Sequence, residues 1–196
     1  MTFGQVTQVP QTYPIFKREI SNNMYGASSY YFARTLISIM TFFFYPFLLT
    51  LCMIWFIGLQ VLNFTVFVSW CLDLLLICLV ASSIGMTIGC IVPESSQAIL
   101  VANLVVIMCN LGAGLLANTN SGYLIKFLGW VSPEHYGMEL IMRRLLDGRN
   151  EVASNEILVF LGYNYGENFC YYVLLGMLVG YTMIGWIAIS IRASIN

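Results

Sequence analysis

Charge is what this sequence has least of. Only 9% of its 196 residues are Asp, Glu, Lys or Arg, against about a quarter in soluble domains. None occurs between Arg34 and Asp73, between Asp73 and Glu94, between Glu94 and Lys126, or between Glu167 and Arg192. Gaps of that length exclude a soluble fold with an ordinary solvated surface. Histidine is nearly absent: His135 stands alone, so it has no metal-ligand companion and offers little to acid–base catalysis. It reads as an interfacial residue. No GxxxxGK[ST], HExxH or GxSxG pattern occurs, so no phosphate loop, zinc protease helix or nucleophile elbow is encoded. Any energy source must lie outside these residues. The six cysteines show no CxxC spacing. Five sit in apolar blocks and read as small hydrophobes, leaving Cys170 as the one near a loop. Met1 to Val9 lacks the basic start and apolar core of a signal peptide. A net charge of −1 gives no footprint for nucleic acid.

What the sequence does have is apolar length. Hydrophobic residues make up 59% of it, and a helix needs roughly 20 of them to cross a bilayer core. The spacing predicts an all-α polytopic membrane bundle with four transmembrane helices and an amphipathic or re-entrant extracellular helical region. Residues 1–30 are mixed and polar, with Pro10, Pro14 and the charged triplet Lys17-Arg18-Glu19. Three spans follow within residues 31–117, at about 31–58, 64–91 and 97–117. Pro46 should kink the first. Pro93 to Ser96 makes a tight turn, with Ser95 or Ser96 capping the third span. The polar stretch 118–168 holds two helical patterns, Ser121 to Trp130 and Pro133 to Leu146, the second capped by Ser132. In that second pattern Tyr136, Leu140 and Leu146 fall on a face opposite Glu139, Arg143 and Asp147. Both pieces read as amphipathic helices on or in the membrane surface, or as incidental helices of a solvated loop. The last span and a short tail occupy 169–196.

Helices in lipid pack closely where residues are small. Ala81, Gly85 and Gly89, and again Gly176 and Gly180, recur every four positions and predict helix contacts. Asn103, Ile107 and Asn110 share a face of the third span, which suits either a cavity for an amphipathic ligand or an interhelical hydrogen bond. Asp73 is the only carboxylate inside a span. It has no intramembrane cation to pair with, and reads as a structural acid or a proton relay. Basic residues near span ends (Lys17, Arg18, Arg34 and Arg192) place both termini in the cytoplasm, of the plasma membrane or an internal one.

Three segments together resemble the membrane domain of the ABCG (white/pleiotropic drug resistance) subfamily of ABC transporters, of the ABC-2 type. Pro14-Ile15-Phe16-Lys17-Arg18-Glu19, followed by Tyr25, Tyr30 and Ala33, is similar to the family's cytoplasmic aromatic, basic and Glu pattern. Gly112-Ala113-Gly114-Leu115-Leu116-Ala117-Asn118 resembles the end of its fifth span. Trp130 to Glu139, with Ser132-Pro133, Tyr136 and Glu139, resembles its extracellular re-entrant element. The resemblance implies spans three to six of a six-span domain, with the nucleotide-binding domain and two spans outside these residues. It implies that residues 1–30 form a connecting segment in which Lys17, Arg18 and Glu19 couple to that domain. Asn103, Ile107 and Asn110 would line the substrate cavity, and Leu115 and Leu116 would form its apolar plug. ATP and magnesium would sit on the missing or partner nucleotide-binding domain, with no cofactor and no catalytic residue on this chain. A second membrane subunit, identical or not, and a hydrophobic small molecule are the other implied partners. The implied function is ATP-driven export of lipids, sterols or hydrophobic xenobiotics by alternating access. Two alternatives stand beside it: a truncated, non-transporting subunit that assembles with a full transporter, and a channel or carrier using Asp73.

Overall fold

The computed structural model describes residues 2–22, 24–57, 64–114, 122–146 and 151–195. These form eight helices and no strand: α1 (Thr2–Ser21), α2 (Ala27–Ile57), α3 (Phe64–Ile91), α4 (Ser95–Gly112), α5 (Tyr123–Val131), α6 (Pro133–Leu146), α7 (Glu151–Leu161) and α8 (Glu167–Ile195). Among the described residues four are long and apolar enough to cross a membrane, at Ala27–Phe56, Phe64–Ile91, Ser95–Gly112 and Glu167–Ser194. Four is also the number of spans read from the sequence. The third stops at Gly112, short of the expected residue 117.

The spans carry hydroxyls without leaving them stranded. Thr35, Ser38, Thr41 and Thr50 each donate to the backbone carbonyl four residues earlier, at 2.7–3.1 Å. A hydroxyl satisfied by its own helix can sit at membrane depth at little cost. On α2 the enclosed positions make a narrow stripe of Tyr31, Ser38, Phe42, Pro46 and Thr50. Phe43, Phe44, Phe47, Leu48 and Trp55 are exposed, as expected of a lipid-facing surface. The helix runs on through Pro46. Over half of the α3 span is buried, against about a fifth of each other span, so α3 is the most enclosed of the four.

The chain divides into two compact units. One holds Met1–Phe42, Cys78–Val105 and Met177–Asn196; the other holds Phe43–Ile77 and Val106–Gly176. The first contains α1, within the mixed and polar residues 1–30. Val6, Val9 and Phe16 are buried, with Tyr13 and Ile20 half-buried between and after them. That stripe makes α1 amphipathic despite Pro10 and Pro14. Its core joins Val9 and Phe16 to Tyr31, Met86, Cys90 and Ile189. A Cβ on Gly89 would meet the Val6 carbonyl oxygen at 3.0 Å and the Val9 Cβ at 3.1 Å, so the expected small-residue contact exists and holds α1 to α3. The other stripe meets no neighbour among the described residues of this chain. A Cβ on Gly176 or Gly180 would meet nothing within 4 Å, whereas one on Gly185 would press on the Tyr31 hydroxyl and lie 3.1 Å from Thr87 Oγ1. Small side chains mark close approach only where a neighbour faces them, and spacing does not report neighbours.

At the turn before α4, Ser96 donates to the Glu94 carboxylate at 2.7 Å. The acid sits at the helix N-terminus, where negative charge is favoured.

Candidate functional site: a buried ionic knot beside a polar helical cap

In the second unit α5, α6 and α7 form the polar stretch. The second predicted helix is found, starting at Pro133 as expected, and the first starts two residues late. Helix α7 lies within the same stretch and was not predicted. Ser132, expected to cap α6, donates its hydroxyl to the Cys109 carbonyl at 2.9 Å, tying the α5–α6 junction to α4. The Tyr163 hydroxyl donates to the Ala113 carbonyl at 2.7 Å. A Cβ on Gly137 would lie 2.5 Å from Ile77 Cδ1, so α6 rests directly on α3 there. Tyr163 also packs with Leu146 and Leu158. Its burial pushes its phenol up to about 12, keeping it a donor.

The facial assignment of α6 needs correction. Tyr136, Leu140 and Leu146 are buried as expected, but Glu139 is buried with them at 0% exposure. Its Oε1 accepts from Arg143 Nε and Nη2 at 3.0 and 2.7 Å and from the Tyr165 and Gly166 backbone N–H groups, both at 2.9 Å. A buried carboxylate without such donors would be prohibitive; with a cation and two amides converging, it becomes a structural anchor. Gly166 adopts a φ of +90°, a conformation that favours glycine. Asp147, placed with Glu139 on the outer face, lies outside the described residues.

Asp73 is fully buried on α3. Its partner comes from the polar stretch rather than from another span: Arg144 Nε donates to Oδ2 and the Tyr171 hydroxyl to Oδ1. Arg144 Nη2 also donates to the Tyr171 hydroxyl at 2.6 Å. One membrane carboxylate thus joins α3, α6 and α8 in a closed triangle. Nothing in the local spacing marks it, since Asp73 and Arg144 are 71 residues apart.

His135 is likewise buried, at 3% exposure. Its ring packs against Tyr136 and Tyr163. Burial lowers its pKa, an effect opposed by the Glu139 charge and a hydrogen bond to the Gly112 backbone.

The residues singled out by resemblance are placed unevenly. Lys17 and Arg18 are exposed near the end of α1, while Glu19 is half-buried and accepts from the Tyr25 hydroxyl. Burial, and after it this bond, pushes the Tyr25 phenol up to about 12. Asn103, Ile107 and Asn110 are all exposed on α4, and the Asn110 amide donates to the Val106 carbonyl at 2.9 Å. Leu115 and Leu116 lie outside the described residues.

Four apolar helices with ionic groups locked inside and a polar helical cap define an integral membrane protein. The family model described as ABC-2 type transporter matches residues 1–146, and the chain belongs to that family. It is 31% identical over 95% of its length to "ABC transporter G family member 24" of Dictyostelium discoideum. It is 27% identical over 71% of its length to "ABC transporter G family member 21" of Arabidopsis thaliana. The matched parts cover 18% and 20% of those relatives, so the chain spans about a fifth of their length. The chain is an ABC-2 membrane domain, similar to part of each of these two G family transporters.

Proposed function

We propose that this chain is the membrane part of an ATP-driven exporter of lipids, sterols or hydrophobic xenobiotics, working by alternating access. Hydrolysis takes place on a nucleotide-binding domain outside these residues, which holds the ATP and magnesium; this chain carries no catalytic group. Both termini lie in the cytoplasm, below the plasma membrane or an internal one.

The observation that carries the reading is α4. Two amides, Asn103 and Asn110, and Ile107 are exposed on a helix apolar enough to span. Polar groups at membrane depth face protein or water rather than lipid. A second membrane subunit, identical or not, covers this face and completes a cavity with apolar walls and amide donors. Leu115 and Leu116 seal it, and parting of the subunits opens the seal. Lys17, Arg18 and Glu19 sit on a helix seated against α3 at Gly89, so a displacement of α1 by the nucleotide-binding domain reaches a span directly. The bonds of Asp73 to Arg144 and Tyr171 favour its structural reading over a proton relay.

The test is reconstitution with a nucleotide-binding partner, reading ATPase and transport together. Leu115→Ala with Leu116→Ala is expected to leave ATPase active while transport falls at least tenfold. Glu19→Ala lowers substrate-stimulated ATPase without changing ligand affinity. Intact coupling in the leucine double variant removes the plug. Assembly without any stimulated transport assigns the chain to a silent subunit.

A further inference from the structure

A cavity of about 200 Å³ lies between α2, α3 and α8, with its lining wholly inside the unit that contains both termini. Five of the lining residues carry aliphatic hydroxyls: Thr35 and Ser38 on α2, Ser82 and Ser83 on α3, and Thr182 on α8. Each stands eight or more residues from either end of its span, counted on Ala27–Phe56, Phe64–Ile91 and Glu167–Ser194. Four of the five have already given their proton. Thr35 donates to the Tyr31 carbonyl at 2.9 Å and Ser38 to that of Arg34 at 3.1 Å. Ser83 donates to the Leu79 carbonyl at 2.9 Å and Thr182 to that of Val179 at 2.8 Å. A hydroxyl that has donated once keeps its acceptor lone pairs. Ser82, 5% exposed, makes no side-chain hydrogen bond among the described residues.

The lining therefore offers four acceptors and one uncommitted hydroxyl. No carboxylate, ammonium or guanidinium is among the described residues that form it, so an ion of either sign would find no counter-charge. An acyl chain would set methylenes against five oxygens. Water fits both the chemistry and the size. It brings two protons for the acceptors and a lone pair for Ser82, and the cavity is several times the roughly 30 Å³ that one molecule occupies in the liquid. We infer that this cavity binds a small cluster of water molecules inside the membrane-spanning helices. The cluster bridges Thr35 and Ser38 to Ser82, Ser83 and Thr182, and so joins three spans through exchangeable bonds. A single hydroxyl bonded to its own helix can face lipid; five from three helices around one cavity make a hydration site. The site shares no residue with the α4 face proposed above for a second subunit, and operates without it.

Met86 serves as the probe. It lines the cavity, is 3% exposed, and its Sδ lies 3.9 Å from Thr35 Oγ1. The full 196-residue chain in lipid nanodiscs is given brief X-ray pulses, which split water, bound water included, into hydroxyl radicals. Methionine sulfoxide is then read by mass spectrometry. Met86 oxidises faster than Met40, which is 72% exposed on the lipid-facing side of α2. A membrane-impermeant radical scavenger protects Met24, which lies outside the spans, and leaves Met86 labelling unchanged. Ser82→Leu fills the cavity and lowers Met86 labelling severalfold. Thr35→Val with Thr182→Val keeps side-chain volume while removing two acceptors; it lowers the labelling likewise, and its melting shows that the fold is retained. Met86 labelled no faster than Met40 overturns the proposal, as does labelling that survives the threonine pair or is quenched by the scavenger. A rise in Met86 labelling on delipidation would assign the cavity to a lipid, and the water site would fall.

Discussion

The two units of the chain solve the problem of cohesion in lipid by different physics. The unit that contains both termini is held by contact. Gly89 admits the α1 backbone, Gly185 admits a tyrosine hydroxyl, and the core is aromatic and aliphatic. The unit that contains the polar helices is held by charge: Asp73 with Arg144 and Tyr171, Glu139 with Arg143 and two backbone amides. Apolar association in a bilayer draws little from hydrophobicity, because lipid is as apolar as leucine. Close steric fit and desolvated ionic bonds are the two remaining sources of specificity, and each unit draws mainly on one.

The comparison breaks most sharply at Arg144. Arg144→Ala leaves Asp73 buried and uncompensated, and should cost about 3–5 kcal/mol. Thermal melting in detergent measures it, and amide exchange should rise in α6 before it rises in α1. Replacing both partners, Asp73→Leu with Arg144→Met, should recover most of the loss. If the double variant melts as low as the single one, the triangle is not the source of the stability. The contact-held unit is probed at Gly89. Gly89→Leu overpacks against Val6 and Val9 and should cost about 1–3 kcal/mol, with proteolysis of α1 as the readout; an unchanged cleavage rate would mean α1 is held elsewhere.

The smallest effect is a pH dependence of the ionic unit. Burial holds the folded-state pKa of His135 below its ordinary value, so the folded state prefers the neutral ring. Stability from this group is complete above about pH 6.5 and is lost as pH falls through that value toward the folded pKa, by at most about 1.4 kcal/mol per pH unit. Burial raises the Glu134 pKa, which acts in the opposite direction at lower pH. The His135→Gln variant isolates the histidine: between pH 7.5 and 5 its melting temperature should drop less than that of the parent. An identical drop in both would place the titration on another group.

Apolar length made the four spans legible, since lipid imposes a long run of uncharged residues whatever the tertiary fold. Helix α1 was also visible in principle. Val6, Val9, Tyr13, Phe16 and Ile20 repeat at helical spacing, but two prolines and a mixed composition masked the pattern. The face of α6 failed for a physical reason. Helical periodicity sorts residues by hydrophobicity and so sends every carboxylate outward, whereas Glu139 is admitted inward by donors from Arg143 and from a turn 26 and 27 residues later. The partner of Asp73 was invisible for the same reason, being supplied by the tertiary fold rather than by the helix that carries the acid. Likewise, Gly176 and Gly180 repeat as Gly85 and Gly89 do, yet a Cβ on either would meet nothing of this chain within 4 Å among the described residues.

Helix α8 starts at Glu167, one position beyond the amides clasped by Glu139. The depth at which the final hydrophobic segment enters the bilayer is therefore registered against a side chain synthesised well before it. Lengthening the link between α7 and α8 would let that segment slide along the membrane normal only after the clasp had opened.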